Sequence, residues 1–333
     1  MIGRQFAAMF KARTMEFVRD RGTFLWNLFF PALLILGLAF AFSGKGDALF
    51  KIAVIGADDG SFSANSLEQA KLIPYARADA EVALEKLRRH QLDLVVDFGE
   101  RSYSLNDQSK NGSLLRRLLV AEKSTFTEKA VSGAPIRYAD WLVPGVIGMN
   151  MMFSSLFGVG IVIVRYRKNG VLKRFKATPV HALNFVTAQA ASRLAIVVAT
   201  SVFVYFGTNL FLRFRMEGSY ALLLLVAVMS ILCMISIALA LSARLRSEEL
   251  AAGLLNLVTL PMMAFSGVFF SLEGTPPILS RVARFLPLTR FTEATRAVML
   301  EGAGFMAVLP DLAFLAVLTA LFLGLAAALF KWE

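Results

Sequence analysis

Residues 165–179, RYRKNGVLKRFKATP, form a short basic loop between two long apolar runs. A loop of this charge is typical of the cytoplasmic side of a membrane. Gly170 predicts a break in the incoming helix. Apolar residues then give the next turn an apolar edge, and Thr178-Pro179 ends it. The stretch predicts a short amphipathic helix beneath a membrane, suited to docking on a soluble partner, with a plain topogenic loop as the alternative.

The composition indicates a membrane protein, because hydrophobic residues make up 57% of the chain and charged residues 18%. The formal net charge is +11, yet residues 43–142 contain as many basic as acidic residues. The positive excess therefore lies mostly beside the apolar runs, which favours anionic lipid headgroups over nucleic acid. The single cysteine, Cys233, lies inside an apolar run and excludes an intrachain disulfide and a cysteine-based metal cluster.

Six stretches approach the length of about 20 residues that a bilayer requires. They are residues 23–42, 143–164, 185–209, 220–242, 250–270 and 308–330. Basic residues precede the first stretch, so the positive-inside rule predicts cytoplasmic N- and C-termini and an external region at 43–142. The loop 271–307 conflicts with the positive-inside rule in this topology, because it places several arginines outside. These are Arg281, Arg284, Arg290 and Arg296.

The outer loop 271–307 also contains a pattern that explains how these arginines can lie outside. Apolar residues from Ile278 to Leu286 recur at helical spacing, opposite two arginines and between prolines. A second, weakly apolar piece runs from Ala294 to Phe305. These patterns predict two short interfacial or re-entrant helices on the outer side, with arginines at headgroup level, rather than a seventh span. A helix that only seals the protein is the alternative.

Residues 43–142 read as a small α/β domain, in which strands and helices alternate. The predicted strands are 51–56, 92–98 and 102–107, and the predicted helices are 79–91, with Asp79 as its cap, and 113–131. Four aspartates lie near the turns, and turn or cap roles explain them better than a cation site. They are Asp58, Asp59, Asp97 and Asp107. The predicted fold is an α-helical polytopic membrane protein, with six transmembrane helices and a small extracytoplasmic α/β domain.

The chain lacks the motifs of a catalytic site. No GxxxxGK[ST] sequence occurs, and the two histidines, His90 and His181, are far apart. The predicted spans hold almost no ionisable residues, whereas an ion-driven transporter usually carries intramembrane carboxylates. Asp311 lies at the outer edge of the last span, and Arg193 lies about two turns into the third. The sequence therefore predicts no catalytic residue, no metal and no ATP hydrolysis by the chain itself.

Three separated segments resemble the permeases of type-two ATP-binding-cassette exporters. FVRDRGTFLWNLFFP (17–31) resembles the interfacial connecting helix of that family, and residues 165–189 resemble its coupling-helix loop. Residues 261–296 resemble its fifth span and re-entrant outer helices, although Ser271 stands where a proline often follows the aromatic pair. An external domain between the first two spans is similar to the drug-export branch. The three segments occur in the same order as in that family, and together with the spans between them the resemblance covers the whole chain.

The resemblance implies a division of the chain into functional segments. Residues 1–22 would be the cytoplasmic interfacial helix, 23–42 the first span and 43–142 the external domain. Residues 143–333 would hold five further spans, with a coupling loop at 165–184 and outer helices at 271–307. Residues implied in the interfacial helix are Arg19, Asp20 and Arg21. Those implied in coupling to the ATPase are Gly170, Leu172, Lys173, Arg174, Phe175, Lys176, Thr178 and Pro179, where Leu172 and Phe175 would fill a groove and the basic residues would pair with acids.

The resemblance also implies a mechanism and partners. A separate P-loop ATPase would bind ATP and Mg, and a second permease, identical or paralogous, would complete the path for a hydrophobic or amphipathic substrate. Polar residues within spans that would line the path, or only join helices, are Asn150, Asn256, Thr259 and Ser266. Residues implied in the outer helices are Phe285, Pro287, Glu293 and Arg296. The expected location is a bacterial cytoplasmic (inner) membrane, in contact with lipids, and contact with a periplasmic adaptor stays open.

Two other functions are consistent with a polytopic membrane protein. One is a secondary, ion-driven transporter, against which the missing intramembrane carboxylates count. The other is a membrane sensor or scaffold that uses the external domain to bind a ligand. Copurification of an ATPase would separate both from the exporter.

Overall fold

The computed structural model describes residues 2–41, 50–56, 70–88, 92–106, 109–121, 126–131, 138–176, 182–269 and 281–329. The chain divides into two compact units. One is a helical unit of residues 1–39 and 139–333, and the other is an α/β unit of residues 40–138.

The helical unit begins with α1 (Ile2–Arg19) and α2 (Arg21–Ala41). The other helices that it contributes to the bundle are α5 (Tyr138–Lys168), α6 (Val171–Lys176), α7 (Ala182–Leu212), α8 (Tyr220–Ser242), α9 (Glu248–Phe265), α10 (Pro287–Glu301) and α11 (Phe305–Leu329). Six of the described helices are long and apolar enough to cross a membrane, namely α2, α5, α7, α8, α9 and α11. All six predicted spans are thus confirmed as helices.

Helix α8 is the centre of the helical unit. It packs most extensively against α11 and also contacts α7, α9 and α10. Helix α8 has no polar face, as expected for a helix that protein or lipid surrounds on all sides. The hydroxyl groups of buried serines on α8, such as Ser230 and Ser242, donate hydrogen bonds to backbone carbonyls one turn earlier. The oxygen–oxygen distances are 2.8 and 2.6 Å. Their polarity is thereby satisfied within the helix.

Helix α5 carries glycines where other segments approach closely. A Cβ on Gly148 would lie 2.5 Å from the Phe291 ring of α10, and one on Gly145 would lie 2.8 Å from the Val268 carbonyl oxygen. A Cβ on Gly160 would meet Leu255 of α9 at 2.9 Å. Small residues at such contacts let helices approach in a membrane. The glycines of α5 therefore allow both α10 and α9 to pack closely against α5.

The α/β unit contains a five-stranded sheet in the order β2-β1-β3-β4-β5, in which only β3 and β4 pair antiparallel. Its strands are β1 (Phe50–Ile55), β2 (Ala70–Tyr75), β3 (Leu94–Asp97), β4 (Ser102–Asn106) and β5 (Thr127–Val131). Helices α3 (Ala80–Arg88) and α4 (Lys110–Ala121) complete the unit. Leu87 of α3 and Leu115 of α4 belong to two different apolar clusters. Ile52 and Ala53 are neighbours on β1 and point to opposite faces of the sheet, and each belongs to a different one of these clusters. The two helices therefore cover opposite faces of the sheet.

Two sequence predictions for this unit need correction. The helix predicted over 113–131 is wrong in its second half, because α4 ends at Ala121 and Thr127–Val131 forms edge strand β5. The strand β2 was not predicted. It contains Pro74, which is tolerated because β2 lies at the other edge of the sheet. Asp79 lies in a 3-10 turn just before α3.

The aspartate prediction can be checked at one of its four positions. Asp97 accepts hydrogen bonds from the backbone N–H groups of Gly99 and Glu100, at 2.8 and 3.1 Å, and so stabilises a turn. The other three aspartates, Asp58, Asp59 and Asp107, lie outside the described residues. Within the described ranges, no group of three or more His, Cys, Asp or Glu residues is arranged to hold a metal ion.

Candidate coupling site

The end of α5 turns sharply into α6. Gly170 has a φ of 70°, a left-handed value that suits glycine, and it links the last residues of α5 to the short helix Val171–Lys176. The Arg174 N–H donates to the Gly170 carbonyl at 3.2 Å, which closes the first turn of α6. The sequence prediction of a break followed by a short helix is therefore confirmed.

Arg167 attaches this turn to the end of α8. Its side chain is 7% exposed and donates to the carbonyls of Ser242 at 3.1 Å and Ala243 at 2.7 Å. It also donates to the Leu245 carbonyl. The last carbonyls of a helix lack partners within the helix and carry its partial negative charge. One guanidinium therefore caps α8 and fixes the position of α6 against the bundle.

Glu248 binds the same turn from a second direction. Its carboxylate lies 3.2 Å from Arg165 and 3.8 Å from Lys168. Glu248 opens α9, whose N-terminus is capped by Ser247 accepting from the Leu250 N–H at 3.2 Å. Because the three charged groups are partly exposed, the pairs orient α9 against α5 more than they stabilise the fold.

The side chains of α6 divide into a buried and an exposed set. Leu172 is fully buried within the chain, whereas Lys173 and Arg174 are exposed. The prediction that Leu172 fills a partner's groove therefore needs correction, because its side chain already packs inside the helical unit. The side chains of Phe175 and Lys176, and all of Thr178 and Pro179, lie outside the described residues.

Helix α1 reaches the same end of the bundle. Arg13 donates to the Gly158 carbonyl at 3.1 Å and pairs with Glu16 at 2.7 Å, while Tyr166 donates to Glu16. Burial alone would raise the pKa of Glu16, but the hydrogen bonds from Tyr166 and Arg13 and the charge of Arg13 outweigh it and lower that pKa. Glu16 is therefore held as a carboxylate that links α1 to α5.

The residues predicted for the interfacial helix lie at the junction of α1 and α2, and all three are exposed. They are Arg19, Asp20 and Arg21. Asp20 accepts from the Thr23 N–H at 3.1 Å and from its hydroxyl at 2.6 Å, so it caps α2. These hydrogen bonds lower the pKa of Asp20 below its ordinary value. The carboxylate thus sets the point where α1 ends and α2 begins.

Helix α10, from the segment predicted to lie outside, is at the opposite end of the helical unit from α6. Arg296 of α10 stacks 3.7 Å from the Trp141 ring centre and donates to the carbonyls of Trp141 at 3.1 Å and Gly267 at 2.8 Å. Arg290 pairs with Asp311 at 2.9 Å. Two of the four arginines that oppose the positive-inside rule are thus held by groups of the protein.

Helix α10 is too short to span a bilayer. It has 15 residues, or about 22 Å at 1.5 Å per residue, against a hydrocarbon core of about 30 Å. It begins at Pro287 and ends at Glu301, and the φ of 63° at the next residue, Gly302, suits the position that terminates a helix. Phe285, just before it, is 72% exposed, and Glu293 on it is also exposed. Residues 270–280, with the beginning of the first predicted outer helix, lie outside the described part of the chain.

The four residues predicted for a substrate path lie on α5 and on α9 or at its C-terminal end. Asn150 of α5 lines a cleft of about 670 Å³ between α2 and α5. The Thr259 hydroxyl donates to the Asn256 carbonyl at 3.5 Å, so it bonds within α9. The carbonyl of Ser266 accepts from Thr292 of α10 at 3.1 Å. Of the four, Asn150 lines a described cleft that is large enough to hold a small molecule.

Residues 4–300 match the family model described as ABC-2 type transporter. The chain belongs to this family. Members of the ABC-2 family are transmembrane components that lack an ATPase site, which lies in a separate subunit. The expectation that the chain itself carries no ATPase site is confirmed at this level, and the ion-driven transporter and sensor alternatives are not favoured.

The chain is also similar to the ABC transporter G family member 20 of Dictyostelium discoideum. The two are 24% identical over 225 residues, which cover 64% of this chain and 30% of that protein. The chain thus spans about 30% of the length of this curated relative. The family match, with the six candidate spans, shows a multi-pass membrane protein and indicates a permease component of an ABC transporter.

Sequence reasoning on this ABC-2 chain missed the residues that hold the turn between α5 and α6. Arg167 was grouped with the other basic residues of the loop, and Glu248 and Glu16 were not singled out. A signal for Glu248 exists in the sequence, since Ser247-Glu248-Glu249 begins a span on the side of the basic loop. An acid pair at that place predicts both a helix N-terminus and an ion-pair partner for the basic loop.

Proposed function

We propose that this chain is the membrane-spanning permease subunit of an ATP-driven exporter of the drug-export-like branch. It pairs with a second permease, a copy of itself or a paralogue, to form the path for a hydrophobic or amphipathic substrate. A separate P-loop ATPase, with ATP and Mg, drives the cycle. The observation that carries the proposal is the short helix α6, held by Arg167 and Leu172 while Lys173 and Arg174 face outward.

This arrangement suits the transfer of force from a soluble partner. A helix that transmits motion must be held rigidly against the membrane helices that move, and it must be accessible to the soluble partner that drives the motion. Arg167 supplies rigidity, because a guanidinium held by several carbonyls has little freedom to turn. Lys173 and Arg174 supply an accessible positive surface, which acidic side chains of an ATPase would complement.

The decisive test of the function is recovery of the ATPase. A tagged chain purified from native membranes in mild detergent is expected to copurify with a P-loop protein, identified by mass spectrometry, and with ATP hydrolysis. Recovery of the intact chain with no P-loop protein and no ATPase activity would contradict the proposal and favour an autonomous membrane protein.

The proposal places α6 and both termini in the cytoplasm of a bacterial inner membrane, and the α/β unit and α10 outside. The chain suits cysteine labelling, because its single native cysteine, Cys233, is buried. Glu100 in the α/β unit and Asn169 beside α6 are both exposed. An impermeant maleimide is expected to label Glu100→Cys in intact cells, and Asn169→Cys only after the membrane is permeabilised. Labelling of Asn169→Cys in intact cells would overturn the orientation.

The external domain has a role within the same proposal. Its sheet leaves β2 and β5 as edges, and edges are the usual places where another chain adds a strand. Contact with a periplasmic adaptor would take place there. The ATPase-recovery experiment would show such an adaptor as a further copurifying protein.

A further inference from the structure

The cleft between α2 and α5 has an apolar wall and a charged end. Its volume is about 670 Å³, and aromatic side chains line its length. They are Phe17, Trp26, Phe30, Phe153 and Phe157. At the charged end, Arg13 and Arg193 line it together with Glu16 and Asp20. A cleft that is apolar along its length and charged at one end has the shape of an amphipathic ligand.

Arg193 is the unusual group in this cleft. It is 4% exposed and lies within α7, one of the six candidate spans. Its Nε donates to the Ser154 carbonyl at 2.7 Å and its Nη2 to the Ser154 hydroxyl at 2.7 Å, while its guanidinium lies 5.3 Å from the Phe17 ring centre. A buried cation of this kind is costly and usually has an acidic partner.

The described residues provide no such partner. No carboxylate in the described part of the chain lies within ion-pair distance of Arg193, whose hydrogen bonds all go to Ser154. The other charges at this end are already matched. Arg13 pairs with Glu16, Arg165 pairs with Glu248, and Asp20 accepts from Thr23. Arg193 is therefore the cation of the cleft that lacks an acid.

The backbone of α5 holds the guanidinium in this place. A Cβ on Gly158 would overlap the Arg193 guanidinium, so this packing requires a glycine. Asn150, one turn before Ser154 and 9% exposed, also lines the cleft. The cleft thus combines a cation held by Ser154 and an amide side chain with an aromatic wall.

We propose that this cleft binds an amphipathic molecule with an acidic headgroup. Its carboxylate or phosphate meets Arg193, its hydrogen-bonding oxygens reach the Asn150 amide, and its hydrocarbon tail lies along Trp26 and the phenylalanines. A carboxylate and a phosphate offer guanidinium the same acceptor geometry, so an anionic phospholipid and a single-tailed acid are two sources of one chemistry. Binding at the cleft does not require that the chain exports anything, and it goes beyond the proposed transport function.

Trp26 lines the cleft and is a built-in reporter for this proposal. The full chain is reconstituted in nanodiscs of zwitterionic phosphatidylcholine, and its tryptophan fluorescence is titrated with dibromo-octadecanoic acid or with the matching dibromo-octadecanol. Bromine quenches indole at short range, and the Trp26→Phe variant gives the background of the other tryptophans. We expect half-quenching by the acid at a concentration about tenfold lower than by the alcohol, from the charge-assisted contact. Equal quenching of Trp26 by both probes would overturn the proposal.

Two variants link the preference to Arg193. Arg193→Met is expected to abolish the difference between acid and alcohol, whereas Arg193→Lys keeps part of it. If Arg193→Met does not insert into the membrane, Gly158→Ala tests the same contact, because its methyl group displaces the guanidinium. Arg290→Met, at the other end of the bundle, is the matched control and is expected to retain the wild-type preference. An undiminished preference for the acid in Arg193→Met, or in Gly158→Ala where that variant replaces it, would contradict the assignment.

The membrane composition separates the two sources of the headgroup. Replacing part of the phosphatidylcholine with phosphatidylglycerol is expected to weaken quenching by the acid if a phospholipid phosphate fills the site. Unchanged quenching would assign the cleft to single-tailed acids. Either result, together with the preference for the acid, supports an anionic site at Arg193.

Discussion

Arg167→Met is expected to eliminate ATP-driven transport and to lower the thermal stability of the chain. The substitution keeps an apolar stem but removes the guanidinium that donates to the carbonyls of Ser242 and Ala243 at the end of α8. A buried polar group that loses its partner costs about 1–3 kcal/mol, and more than one carbonyl is affected. Transport in proteoliposomes and the melting temperature of the detergent-solubilised chain measure the two effects.

Two further variants make this test specific. Arg167→Lys keeps the positive charge but loses the planar fork, so an intermediate melting temperature is expected. Arg246 lies in the loop after α8 and is exposed, so Arg246→Met is the matched control, with an effect within about 0.5 kcal/mol. A melting temperature and a transport rate of Arg167→Met equal to those of Arg246→Met would refute the role of Arg167 as the anchor of α6.

The double variant Lys173→Glu/Arg174→Glu is expected to lose the ATPase while leaving the permease folded. Both side chains are exposed on α6, so their reversal leaves the core intact and replaces two positive charges with two negative ones at the proposed interface. Like charges placed face to face cost several kcal/mol at an interface. The expected result is at least a tenfold loss of copurifying ATPase, since about 1.4 kcal/mol corresponds to one factor of ten.

A charge reversal on the surface of the other unit is the control. Arg117 is exposed on α4, and Arg117→Glu is expected to retain the ATPase fully. The melting temperature of the double variant is expected to match that of the wild type, which distinguishes loss of docking from loss of folding. Full ATPase recovery with the double variant would mean that α6 is not the docking surface.

The membrane architecture was predictable because its signal is long. Each span is an apolar run of about 20 residues, and few other structures accommodate such a run. The helix ends differ from the predicted ends mainly where a helix extends past the apolar run, as α7 does from Ala182 to Leu212. In α7 the added residues are 182–184 (ALN) and 210–212 (LFL), which continue the helix by about one turn at each end.

Short polar elements escaped prediction for the opposite reason. Strand β5, TEKAV, has mixed polarity and follows a helix, so its sequence does not oppose continuation of that helix. Strand β2 contains a proline, which argues against a strand unless its position at the edge is known. The position of a strand within a sheet depends on distant pairing, and no local pattern contains that information.

The turn between α5 and α6 shows the same limit at the level of side chains. The sequence correctly predicts the break at Gly170 and the short helix after it. It does not reveal that Leu172 faces the bundle, because an apolar edge suits a partner and the chain's own core equally well. It also does not distinguish Arg167, which is buried against α8, from the exposed basic residues beside it.

The most direct test of the central claim is a photo-crosslink from α6. A benzophenone amino acid replaces Lys173 in the coupling helix or, as the control, Glu100 in the α/β unit, since both side chains are exposed. Irradiation of native membranes is expected to join the Lys173 variant to a P-loop ATPase, as a higher-mass band identified by mass spectrometry, and to leave the Glu100 variant without that band. No ATPase adduct from position 173, or an equal one from position 100, would contradict the assignment of α6 as the site where ATP hydrolysis acts on this permease.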